Sequence, residues 1–425
     1  MGAPFFVPCE METPVLYWVL DEDGRPLMNA IELFAGAGGL LLGTSLAGFH
    51  HELAVEWNAP ACDTMRLNVR HAYPLVDGMK VWQGDVRDVP WADYRGSIDL
   101  LAGGPPCQPF SLGGLARAAL DERDMFPAMT QALALCQPRA FIIENVKGLT
   151  RRSFGDYFSY ILLRLEHPLL AAREDESWRE HLARLTKEHT SGCDDGLRYV
   201  VTHRVVDAAD YGSPQHRHRV IMVGFRSDVM ADWSFPEPTH SGAALWEDQH
   251  GGAYWERHGV ARAGRVETHV QRAGNPSLRP WRTVRDAIGD LPDPAEGGVD
   301  GWLNHELRSG ARSYPGHTGS CYDEPSKAIK AGVHGVPGGE NMVRYADGSV
   351  RYYSVREAAR IQGFPDRYEF ASSWGESMRQ IGNAVPVPLA QVVAGSVAVA
   401  LQHDTAMMSL DFDMLSAEVN CNAPA

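Results

Sequence analysis

A chain of 425 residues, 44% apolar and 22% charged, is long enough for two or three packed units and fits neither a disordered nor a fibrous class. It carries no uninterrupted apolar run of about eighteen residues, and its acidic first 27 residues (Glu10, Glu12, Asp21, Glu22, Asp23) lack a basic start, so a cytoplasmic protein without membrane helix or secretory signal is expected. Seven cysteines at 9, 62, 107, 136, 193, 321 and 421 include no CxxC pair, which suits reduced thiols rather than disulfides or a zinc cluster, and a formal charge of -15 disfavours phosphate binding unless the cations are concentrated locally.

Residues 1–28 read as an N-terminal extension. Residues 29–34 (NAIELF) then read as a buried strand, ending in Gly36-Ala37-Gly38-Gly39 before an apolar helical stretch through Leu46. A second apolar run at 53–55 ends in Glu56, and Val81-Trp82-Gln83-Gly84-Asp85 is the next strand. Further strands are predicted at 98–102, 140–143 and 220–225, with a helix at 126–136. This alternation predicts an α/β fold over 29–226, with a doubly wound, mostly parallel sheet and helices on both faces.

Residues 165–196 are charged and weakly periodic, and read as an insertion with at most a surface helix. Residues 227–350, rich in Gly, Pro, His, Trp and Arg, are expected to form a smaller, loop-rich second domain. Residues 351–403, helical at 355–362 and 388–401, would return to complete the first domain, and 404–425 read as an acidic, loosely held tail.

The glycine turn after the first strand lets backbone approach a ligand, and Glu56, twenty positions after Gly36, is placed to accept from a ribose diol. A nicotinamide dehydrogenase would use that pair equally well, but no Lys-Ser or Lys-Thr follows, which disfavours a nucleoside triphosphate. Trp57 offers a flat face and Asp85 a carboxylate for an exocyclic amine, an order that favours an adenosyl ligand.

Cys107, in Gly103-Gly104-Pro105-Pro106-Cys107-Gln108-Pro109-Phe110-Ser111, follows a predicted strand end in a setting too rich in Gly and Pro for a core thiol. Glu144, in Glu144-Asn145-Val146, reaches the same rim and is placed to protonate or bind a ring nitrogen while sulfur attacks. Arg217 and Arg219, two apart in Gln215-His216-Arg217-His218-Arg219, would point the same way on a strand, to orient a base and hold a phosphate.

These runs, with IELFAGAGGL before them and REAARIQGFP (356–365) and GNAVPVP (382–388) after, resemble the ordered motifs of the cytosine-C5 DNA methyltransferases of bacterial restriction-modification type. The resemblance covers 29–225 and 354–402; Glu32 departs from it, standing where the family usually has aspartate. It implies the class I S-adenosyl-L-methionine-dependent fold, no metal, and methyl transfer to C5 of a flipped cytosine in double-stranded DNA, with Cys107 as nucleophile and Glu144, Arg217 and Arg219 beside it. It places Phe34, Gly36, Gly38, Glu56, Trp57, Asp85, Val86, Gly104, Asn383 and Val385 around the cofactor, and Gln108, Ser111 and Gly113 in a loop closing on DNA. Residues 227–350 fall where the family carries target recognition, which assigns Arg262, Arg265 and Arg272 to DNA. A monomer paired functionally with a restriction endonuclease is expected. The rival within the resemblance is a tRNA cytosine methyltransferase, disfavoured by the hundred-odd residues between QHRHR and REAARIQGFP.

Overall fold

The computed structural model describes residues 28–106, 124–192, 196–229, 231–331 and 341–421, with side chains as far as residue 405. The N-terminal part runs β1 (Asn29–Leu33), α1 (Gly39–Leu46), β2 (His50–Glu56), α2 (Ala59–Arg70), β3 (Lys80–Gln83), β4 (Leu100–Gly103), α3 (Phe126–Cys136), β5 (Ala140–Val146), α4 (Gly155–Glu166), α5 (Trp178–Ser191), β6 (Tyr199–Asp207), β7 (Gln215–His216) and β8 (His218–Arg226). Seven strands form one sheet in the order β3-β2-β1-β4-β5-β8-β6. The pairs from β3 to β5 are parallel, and β8 is antiparallel to both β5 and β6. The mostly parallel sheet is therefore as the sequence pattern implies.

Strand alternation sorts the core into two layers. Ile31, Leu33, Leu101, Phe141 and Ile143 pack on one side with Met129 and Leu133 of α3 and Ile161 and Leu165 of α4. Ala30, Leu100, Ala102, Ile142 and Val223 pack on the other with Leu40 of α1 and the C-terminal helix. Both faces being covered, the central strands read as near-continuous apolar runs. β6 escapes the sequence pattern because it is an edge strand: Val200 is 60% exposed and Val205 38%.

The remainder contains α6 (Gly242–Gly251), α7 (Ala253–Arg257), α8 (Val284–Ile288), α9 (Val355–Ile361), α10 (Trp374–Asn383) and α11 (Val387–Cys421), with short strand pairs between. Helix α11 runs on into the stretch read as a tail from about 404. Across the boundaries expected at 227 and 350, Val284, Ile288, Ile329 and Val343 share one apolar cluster with Ala37, Leu41 and Met65 on one side and Ala358, Tyr368 and Ile381 on the other. A small satellite core joins Leu245, Tyr254, Trp255 and Trp281 to Ala209. The charged stretch 165–196 does hold a helix, α5, started by a Ser177 and Glu180 capping box.

The segment 374–405 is long and apolar enough by composition to cross a membrane, but α11 spends that character against α1 and the sheet. The two helices touch closely at Gly43, where a Cβ would stand 2.4 Å from the Ala390 Cβ. Glycine is required there for contact at this distance.

Candidate active site

The strand order reverses between β1 and β4, and open parallel sheets bind ligands beyond the carboxyl ends of the strands at such a point. A cavity of about 820 Å³ lies there, within the size range of small-molecule sites. Each of the five parallel strands contributes its end: Phe34 and Gly36 follow β1, Glu56 ends β2 and Trp57 follows it, Asp85 and Val86 follow β3, Gly104 to Pro106 follow β4, and Glu144 to Val146 end β5. Asn383, Ala384 and Val385 close the opposite wall from between α10 and α11.

Nine of the ten residues assigned to a cofactor thus line the cavity. Gly38 does not: it sits at φ +89° as the cap of α1, and a Cβ there would press on the Tyr368 hydroxyl at 3.2 Å. It forms the turn into α1. Cys107, Gln108, Ser111 and Gly113 lie outside the described residues; the described neighbours on either side, Pro106 and Met125, both line the cavity, and the Met125 amide donates to the Pro106 carbonyl at 3.4 Å.

The Glu56 carboxylate is fixed by two backbone donors, the Gly36 amide at 2.8 Å to Oε2 and the Asn58 amide at 2.7 Å to Oε1. The turn after β1 thus holds the acid in register with the cavity. Trp57 beside it is 73% exposed, so its ring face is free for stacking. Asp85 carries a bidentate Arg87 guanidinium, whose hydrogen bonds hold its carboxyl below the usual range. Glu32, on β1, is 1% exposed, and burial drives its pKa well above the usual value. Among the described residues its Oε2 has no hydrogen-bond partner, although the residue lines the cavity.

At the other end, Arg219 Nε lies 2.5 Å from Glu144 Oε1, with the two side chains 15% and 12% exposed. The N–H does not aim along a hydrogen-bond line, so the contact is an ion pair more than a directed bond. Glu144 Oε2 faces Gly104, where a Cβ would approach it to 3.2 Å. Asn145, buried beneath, donates from Nδ2 to the Pro105 carbonyl at 3.0 Å and ties the end of β5 to the proline pair.

Arg217 and Arg219 are placed differently. The chain crosses from β7 to β8 at residue 217, so strand alternation does not carry through it. Arg217 is 3% exposed and donates to the Ile329 carbonyl at 2.9 Å and the Gly382 carbonyl at 2.6 Å, while its Nε has no partner. Burial pushes its pKa well below the usual value. Gly382 needs this donor because the residue four further on is Pro386, which has no amide to continue the α10 ladder. The approach is tight: a Cβ on Gly382 would stand 2.3 Å from the Ala331 amide nitrogen.

Two glutamines that sequence reasoning passed over complete this joint. Gln215 donates to Gln362 Oε1 at 2.6 Å, and Gln362 donates to the Ile381 carbonyl at 2.5 Å and the Ala384 carbonyl at 3.1 Å. QHRHR, IQGFP and GNAV are therefore one hydrogen-bonded unit behind the cavity. Among the arginines of 257–285, Arg285 is committed to Asp323 at 2.6 Å and Arg257 to Asp248 at 2.8 Å. Arg262, Arg265 and Arg272 are exposed; Arg272 also lies over Trp246 at 4.6 Å and 3.3 Å from Glu247. This region does not meet the cavity lining.

A mostly parallel sheet with a ligand-sized crevice, a carboxylate held by backbone amides and a carboxylate–arginine pair at one rim defines an α/β fold of the kind that binds ligands where its strand order reverses. The model of the C-5 cytosine-specific DNA methylase family matches residues 28–168 and 193–398. The chain is 30% identical to the Type II methyltransferase M.NgoMIV of Neisseria gonorrhoeae, across 88% of this chain and 99% of that one. It is also 30% identical to M.NgoPII of the same species, across 88% and 97%. In fold it is similar to the S. pombe Dnmt2 methyltransferase, with a TM-score of 0.52 at 19% identity over 88% of this chain and 98% of that one. The chain belongs to the C-5 cytosine-specific DNA methylases and is a DNA (cytosine-5-)-methyltransferase.

Proposed function

We propose that the enzyme uses S-adenosyl-L-methionine to methylate C5 of a cytosine flipped out of double-stranded DNA, through a covalent bond between Cys107 and C6. The Glu144–Arg219 pair at one end of a crevice whose other end is built from Glu56 and Trp57 carries this reading. The residues fit the cofactor: Glu56 accepts from the ribose hydroxyls, Trp57 stacks on the adenine, and the unpartnered buried Glu32 oxygen suits an ammonium group. Asn383 and Val385 close the pocket from the return segment. When bound, the cofactor supplies an electrophilic methyl on a sulfonium that leaves as a neutral thioether.

Cys107 as thiolate adds to C6, forming the C–S bond and placing an electron pair on the C5 side of the ring. Glu144 binds N3 and the exocyclic amine of the base, and Arg219 orients that carboxyl. After methylation a base or water takes the C5 proton, the C–S bond breaks and the thiolate returns. Arg217 is assigned to positioning, since its Nη1 and Nη2 donate to the Ile329 and Gly382 carbonyls.

In this reading Gln108, Ser111 and Gly113 belong to a loop that closes on DNA and fills the space of the extruded base, whose extrusion costs a few kcal/mol. Residues 227–350 recognise the target sequence, with Arg262, Arg265 and Arg272 on the DNA side. The methylation protects bacterial DNA from a cognate endonuclease, a role named for neither relative but in keeping with their Type II class. Transfer of labelled methyl groups to plasmid DNA, with 5-methylcytosine mapped and Cys107→Ala run in parallel, tests the proposal. Product at cytosine N4 or adenine N6, activity surviving the substitution, or preference for tRNA would overturn it.

A further inference from the structure

Residues 169–192 fall between the two segments matched by the family, and they contain α5. This helix is weakly anchored by its own burial: of its fourteen residues only His181 and Leu185 are buried. Helices of that length are marginal without tertiary support. Trp178 packs on Tyr157 and Tyr160 of α4 at the N-terminal end of α5. Something must hold the other end.

There, three potential metal ligands meet. Glu166 ends α4, His167 is its C-cap, and His189 lies in the last turn of α5. His167 Nε2 is 3.1 Å from His189 Nδ1, and that same Nδ1 is 3.5 Å from Glu166 Oε1. The three ligand atoms lie within 4.8 Å of one another. Two imidazole nitrogens on one tetrahedral zinc, each about 2.0–2.1 Å from the ion, stand roughly 3.3 Å apart. The rings are turned 82° to each other and do not stack. A simple hydrogen bond explains one short contact between the histidines; it does not explain why the carboxylate joins the same nitrogen.

We propose that Glu166, His167 and His189 form a binding site for a zinc-class divalent cation that staples the end of α5 to the end of α4. The ligand set, two imidazoles and one carboxylate, suits zinc and its neighbours rather than calcium or magnesium. His189, with its side chain 38% exposed, gives the ion an entry path and leaves a position for water. Arg198 donates to the same Glu166 Oε1 at 2.8 Å and orients the carboxylate. The site stands beside the start of β6, which pairs with the end of β8, whereas Glu144 and Arg219 occupy the opposite end of the sheet. Its role is therefore structural, separate from methyl transfer. Closing the chain between 167 and 189 removes conformational freedom from the unfolded segment.

The test uses the full-length protein, free of any affinity tag and stripped with a chelator. Titration with cobalt(II) is expected to give tetrahedral d–d absorption that saturates at one equivalent and is displaced by zinc. Zinc is expected to slow amide exchange in Trp178–Ser191. His189→Gln should abolish the absorption and the slowing, and Glu166→Gln should weaken both, while His71→Gln, at an exposed histidine elsewhere, should change neither. Circular dichroism and methyl-transfer rate, unchanged in His189→Gln, establish that this variant folds. Absence of stoichiometric cobalt binding by the wild type, or wild-type binding by His189→Gln, overturns the proposal.

Discussion

Replacing Arg217 with methionine separates a positioning role from a substrate-contacting one. The variant keeps much of the volume and removes both donors, leaving the Ile329 and Gly382 carbonyls unpaired. Each buried unsatisfied carbonyl costs about 1–3 kcal/mol, so the loss totals roughly 2–6 kcal/mol. Against this, the wild type buries a guanidinium at 3% exposure with an unpartnered Nε, and removing such a poorly compensated group recovers several kcal/mol. The two nearly cancel, so global stability should change by no more than about 2 kcal/mol. The local effect does not cancel. Gly382 precedes Asn383 and Val385 in the cavity wall, and misplacing them by about 1.4 kcal/mol raises the Kd for S-adenosyl-L-methionine about tenfold. Calorimetric titration with the cofactor, beside thermal unfolding, reads both quantities. Cofactor affinity equal to wild type, with only DNA binding or kcat reduced, would refute the positioning argument and return Arg217 to the substrate.

Glu144→Gln should lower kcat by about 10²–10⁴ with cofactor affinity retained, since the amide cannot donate or accept a proton at the base; single-turnover kinetics giving a loss below tenfold would count against Glu144. His51 is fully buried between Thr44 and Ser45, and burial depresses its pKa to about 3. Its contribution to stability is complete above the unfolded value near 6.5 and is lost as pH falls toward 3, at up to about 1.4 kcal/mol per pH unit. Denaturant midpoints of His51→Gln between pH 6.5 and 5 should therefore fall less steeply than those of the wild type, and parallel slopes would exclude His51 as the source. Joint substitution of Arg262, Arg265 and Arg272 by alanine should weaken DNA binding and shrink the slope of log Kd against log salt by roughly 2–3, about 0.9 for each phosphate no longer neutralised. An unchanged slope would leave these arginines as solvated surface.

The parts of the fold legible in the sequence are those where one local rule suffices. The central strands are buried on both faces and read as apolar runs, and the acids that follow them, Glu56 and Glu144, sit at strand ends because the sheet is parallel there. Helix α3 follows from its apolar periodicity, to the residue. What escaped was set by partners distant in the chain. β6 pairs at an edge with little burial, and Arg217 is defined by carbonyls 112 and 165 residues away. The same holds for Gln215 and Gln362, 147 apart, whose pairing no spacing rule reveals. In 227–350 composition registers loops, whereas Val284, Ile329 and Val343 are distributed too sparsely to announce that they share a core with α1.

The face of the sheet covered by α11 bears on how the protein is made. All seven strands lie between residues 29 and 226, yet the side carrying Ala30, Leu100, Ile142 and Val223 is sealed by Leu389, Val393, Val397 and Leu401. On the ribosome, a chain with its whole sheet translated still lacks more than 150 residues before that seal emerges. At about 5–20 residues per second, the apolar face is bare for roughly 10–30 s, long enough for chaperone capture or for pairing with a neighbouring nascent chain. Slow translation through the recognition segment would lengthen that exposure, so yield of folded enzyme should depend on synthesis rate as well as on final stability.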